Sequence, residues 1–162
     1  MPIVVDQLNE AARPLDQHVF RVLHQHRKEG LSADELRGEL PDVVLRSLPD
    51  GDATRTVWCV YAVNRLVANG WARFAYVDHE YYYYATPSQM IDVGGTTVVY
   101  GFRGDPAAEP RLFDVWVFGD GRTADQNLTL WTQNGAAVGA DYMIKNHREI
   151  LNAILANEAG KK

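Results

Sequence analysis

TRTVWCVYAVNRLVANGWARFAYVDHEYYYYAT, residues 54–86, reads as a long helix, a glycine stop and a two-stranded hairpin. The helix is expected over 54–69. Gly70 then stands where a left-handed cap is usually needed. Residues 71–77 and 81–86 are rich in β-formers, and Asp78-His79-Glu80 is a polar turn between them.

Upstream, residues 1–13 form an arm with one short apolar run, Ile3-Val4-Val5. A first helix is expected over 14–28. Pro14 suits its first turn, where a missing N–H is harmless. Leu15, Val19, Val22 and Leu23 recur at helical spacing, and Gly30 stops it. Ser32, with Glu35 three residues on, is a capping box for a second, short helix that ends near Leu40, before Pro41. In residues 41–53, Val43, Val44, Leu45 and Leu48 suggest a buried turn, and Pro49-Asp50-Gly51-Asp52 is a turn signal.

On a helical projection of 54–69, Cys59, Val60, Val63, Leu66 and Val67 form the expected core stripe. Trp58, Tyr61, Arg65 and Asn69 fall opposite, with Arg55 and Asn64 on the flanks. Arg, Asn and aromatic side chains on one outward face suit base edges and phosphates in a DNA major groove. Large exposed aromatics also mark protein contacts, and a small ligand is a third use of such a face.

Residues 14–86 resemble the winged-helix superfamily of bacterial and archaeal regulators. The resemblance rests on Leu31-Ser32-Ala33-Asp34-Glu35-Leu36 opening the second helix and Thr56-Val57 near the start of the third. It rests also on Asn64-Arg65-Leu66-Val67-Ala68-Asn69-Gly70-Trp71-Ala72-Arg73, which ends that helix and enters the wing. It implies three helices plus a β-hairpin wing in a domain over 14–88, and it covers under half of the chain. As a DNA reader, such a unit would bind double-stranded DNA through Arg55, Trp58, Tyr61, Asn64, Arg65 and Arg73. Winged helices also serve as protein-binding modules, with the Trp58/Tyr61 face as the docking surface. The chain departs from the regulator pattern in its long second link, its acidic wing tip and its net charge.

The second half is expected to hold a small three-stranded antiparallel β-unit and a C-terminal helix, over 96–159. Residues 87–95 read as a linker. The strand candidates are 96–102, 112–118 and 127–132, and the helix candidate is 141–157. Both faces of 112–118 are largely apolar, so it is the expected central strand; Asp114, between Phe113 and Val115, is expected to face water. A unit this short needs more cover than one helix. A homodimer through residues 96–157 is therefore expected to supply it, making 96–159 a dimerisation or effector unit; the alternative is that the unit completes a single-domain monomer.

Net charge is −5, from 16 Lys+Arg against 21 Asp+Glu. Residues 1–90 carry 9 basic and 12 acidic side chains, so neither half is a basic module. Any nucleic-acid footprint must then be local. No apolar run approaches the ~18–20 residues of a membrane span. The start lacks a signal-peptide layout, and the one cysteine, Cys59, fits a cytoplasmic protein. Cys59 lies on the core stripe and reads as an inert thiol. No pair among the five histidines has metal-ligand spacing; no metal, no cofactor and no enzymatic site is expected. The whole reads as an α+β protein: a sequence-specific DNA-binding regulator, or else an interaction module without DNA contact.

Overall fold

A computed structural model describes residues 15–103, 111–118, 127–133, 136–139 and 147–160, and the molecule is α+β. It divides into two units, Met1–Thr86 and Pro87–Lys162. The expected arm, 1–13, lies outside the described residues.

Helix α1 spans 15–25, ending in a turn three residues before the expected stop. Leu15, Val19, Phe20, Val22 and Leu23 are buried, a wider stripe than the spacing alone marked out. The Ser32 box forms as read. Glu35 N donates to Ser32 Oγ at 3.2 Å, and Ser32 N donates to Glu35 Oε1 at 3.0 Å, which opens α2 (Ala33–Glu39). The expected turn after Pro41 is instead a further helix, α3 (Asp42–Arg46). Proline lacks an N–H and has a suitable φ, so it starts a helix as well as it ends one. Val44 and Leu48 are buried, whereas Val43 points out.

Helix α4 (Asp52–Ala68) begins two residues earlier than expected. Gly70 ends it, at φ +83°. Gly70 N donates to Val67 O at 3.1 Å and Trp71 N to Leu66 O at 2.8 Å, the paired bonds of a Schellman cap. Trp71 is then buried edge-on to Phe20. A side-chain clamp joins α2 to the start of α4: Arg37 Nη1 donates to Thr56 Oγ1 at 2.7 Å and to Asp34 Oδ1 at 3.2 Å.

Strands β1 (Ala72–Val77) and β2 (Glu80–Ala85) form an antiparallel hairpin whose turn is only Asp78-His79. Both residues have positive φ, 52° and 67°, as a type I′ turn requires. Leu31 and Tyr83 exchange two backbone bonds, so the α1–α2 connection adds a third, one-residue strand beside β2.

The second unit corrects the strand count. Among the described residues it holds five strands, ordered β3 (Gln89–Val93), β4 (Thr96–Arg103), β5 (Arg111–Val117), β6 (Asn127–Gln133) and β7 (Ala136–Gly139), each antiparallel to the next. The expected linker therefore contains β3, which turns into β4 through Gly94-Gly95, both at positive φ. Strand β5 is central, as its two apolar faces required. Helix α5 (His147–Ala159) covers one face: Ile150 and Ile154 pack on Val98, Tyr100, Phe113, Val115 and Val117. Residues 141–146, the start of the expected helix, lie outside the described residues. Tyr100 buries its ring in that core; its hydroxyl donates to Glu158 Oε2 at 2.5 Å and accepts from Asn157 Nδ2 at 2.6 Å. On the other face Val99, Trp116 and Phe118 are buried. Asp114, expected in water, is half-buried among its contacts.

Candidate functional site

Helix α4 is rotated relative to the expected stripe. Its buried residues are Cys59, Ala62, Val63 and Leu66, while Val60 and Val67 are half-buried flanks. Its exposed stripe runs Val57, Tyr61, Asn64, Ala68, at spacings of four, three and four that keep one face of a helix. The shift of the core toward Ala62 carries Trp58 and Arg65 off the outer face, and Trp58 is half-buried.

Arg65 is committed inside the unit. Its Nε and Nη2 reach the Asp16 carboxylate of α1 at 2.9 and 2.8 Å, a two-pronged pair. Arg55 is half-buried, its Nη2 3.5 Å from Asp50 Oδ1. Arg73 is exposed on the hairpin, with its guanidinium carbon 6.0 Å from the centre of the Tyr84 ring. Of the six expected reading residues, only Tyr61 and Asn64 share the outward stripe. Inward turning of Arg65 corrects the expectation that it stands opposite the core.

The hairpin supplies the rest of the surface. Its register pairs Ala72 with Ala85, Phe74 with Tyr83 and Tyr76 with Tyr81, so these six share one face. Near the base, Ala72, Ala85 and Tyr83 are buried. Toward the tip the same face emerges into solvent: Phe74 is 53 % exposed, Tyr76 58 % and Tyr81 49 %. The Tyr81 ring lies 5.5 Å from Phe74 and 4.8 Å from Tyr76, centre to centre. Arg73 and Tyr84 belong to the opposite face of the hairpin by the same alternation.

Between this aromatic face, the outer side of α4 and the start of α2 lies a groove of about 570 Å³. Val60 and Asn64 line it from α4; Phe74, Tyr81 and Tyr83 line it from the hairpin. Its charged lining is Asp34 and Glu80, with His79 at the turn, and it has no Lys or Arg. Burial, then the neighbouring Tyr81, pushes the Tyr83 hydroxyl above its ordinary pKa. On the core side of α4, burial pushes the Cys59 thiol up to about 11 against a smaller opposing pull from Arg37. The thiol is therefore protonated at neutral pH and a poor nucleophile.

Phe74, Tyr76 and Tyr81 were missed as site residues. The signal was present in the sequence: a two-residue turn puts positions 74, 76, 81 and 83 on one face, whereas a three-residue turn breaks that register.

Comparison with protein-family models, curated proteins and solved structures returned no match. Among the described residues, no helix is long and apolar enough to cross a membrane. No group of three His, Cys, Asp or Glu among them is placed to hold a metal ion.

Proposed function

We propose that residues 15–86 form a winged-helix module that docks a protein partner on the outer face of α4 and the adjoining hairpin. The observation that carries this reading is the composition of that surface. It is aromatic and aliphatic, with Tyr61, Phe74, Tyr76 and Tyr81 half in solvent, and its groove is lined by Asp34, Glu80 and His79 with no Lys or Arg. Contiguous exposed apolar surface of this kind marks an interaction site, and tyrosine is favoured at the centre of protein interfaces. The winged-helix assignment is supported by a helical run, α1 to α4, followed by a hairpin, and by the Leu31 bridge to β2. The extra helix α3 sits in the link between the second and the long helix. The lone buried thiol fits a cytoplasmic setting.

The DNA-reading alternative keeps two supports, the outward Asn64 and the exposed Arg73. Against it stand the Arg65–Asp16 pair and the half-burial of Arg55. Phosphate contacts dominate DNA affinity, and the α4 stripe of Val57, Tyr61, Asn64 and Ala68 offers no positive charge to make them. Selection from a random duplex library with the full chain separates the readings. The expected result is no enriched sequence, even at ~50 mM salt where phosphate binding is strong. An enriched duplex whose binding falls with Asn64→Ala and Arg73→Ala would restore the DNA reader.

A further inference from the structure

We propose that the groove between α4 and the β1–β2 hairpin takes an arginine or lysine side chain of a partner protein segment, with aliphatic neighbours of that residue laid on Val57 and Tyr61. The proposal rests on the docking reading above and adds the chemistry of the partner. Three aromatic rings, Phe74, Tyr81 and Tyr83, wall one side of the groove. Aromatic faces attract cations, and more strongly as water is excluded. Asp34 and Glu80 line the same groove together with His79, and the tip adds Asp78. Asp34 Oδ1 accepts from Arg37 and Thr56, and Glu80 Oε2 accepts from the Tyr82 hydroxyl at 3.4 Å, which leaves the second oxygen of each carboxylate for a partner. Asn64 lines the α4 wall beside Val60.

Other occupants fit worse. An acidic segment or a phosphate meets Asp34 and Glu80 with the wrong sign. A purely apolar segment desolvates those carboxylates with nothing in return. A second copy of this chain, paired symmetrically, brings acidic rim against acidic rim, because such contacts set a patch against itself. A volume of about 570 Å³ suits one long side chain and its neighbours.

The test is selection from a random 12-residue peptide library displayed on phage, with the full chain as bait. Selected peptides are then synthesised and their affinities measured for the parent, Glu80→Gln, Tyr81→Ala and Tyr61→Ala. Glu80 and Tyr81 are exposed, and melting curves identify any variant that is unfolded. The expected result is enrichment of Arg or Lys beside Leu, Ile, Val or Met. Affinity should fall about tenfold or more in Tyr81→Ala and severalfold in Glu80→Gln, and it should weaken with added salt. Peptides that depend on Tyr61 and Tyr81 but lack an enriched basic residue would overturn the cation assignment and leave the docking surface standing. Peptides indifferent to every one of these variants would overturn both.

Discussion

Arg65 is tied to Asp16 by a two-pronged ion pair that joins α4 to α1. Asp16 is mostly buried and Arg65 about two-thirds so, with side-chain exposures of 12 % and 30 %. A charge-assisted pair in that setting is worth more than a surface pair, and removing one partner leaves the other poorly solvated. Arg65→Ala should therefore lower the unfolding free energy by about 1–3 kcal/mol. In a double-mutant cycle with Asp16→Ala, urea denaturation should return a clear coupling energy. Unchanged stability together with lost duplex binding would instead make Arg65 a reader. The pairing could not be seen in sequence. The residues are 49 positions apart, and no local pattern distinguishes an arginine that snorkels to solvent from one that turns under its helix. Trp58 was misplaced for the same reason: a core axis shifted toward Ala62 moves every flanking residue with it.

At the level of elements, local chemistry was legible wherever it closed on itself within a few residues. The Ser32–Glu35 box, the Gly70 stop and the hairpin all depend on neighbours in the chain. Strand β3 was not legible, because Pro87-Ser88 before it and Gly94-Gly95 after it are linker signals, and its pairing with β4 is tertiary. Helix α3 was hidden by its proline start. The hairpin turn holds a prediction of its own. His79 sits at φ +67°, where an L-residue crowds its own backbone. His79→Gly should relieve roughly 1 kcal/mol and raise the melting temperature. A fall would mean that the His79 ring contributes more at the groove than the turn strain takes away.

For the whole molecule, we propose the symmetric dimer through residues 96–157. Light scattering at micromolar concentration should give about twice the 18.2 kDa of one chain. A clean monomer would remove the second copy as a partner. The Leu31 bridge carries a different consequence. Tyr81-Tyr82-Tyr83-Tyr84 is a low-charge aromatic strand, the kind of segment that seeds cross-β stacking when its edge is bare. Leu31 occupies that edge at Tyr83, and Asp78 and Glu80 sit before the tetrad as charged gatekeepers. Fraying of the α1–α2 connection would thus expose more than a loop: it would uncover a template for fibril growth, and solubility would be lost before global unfolding.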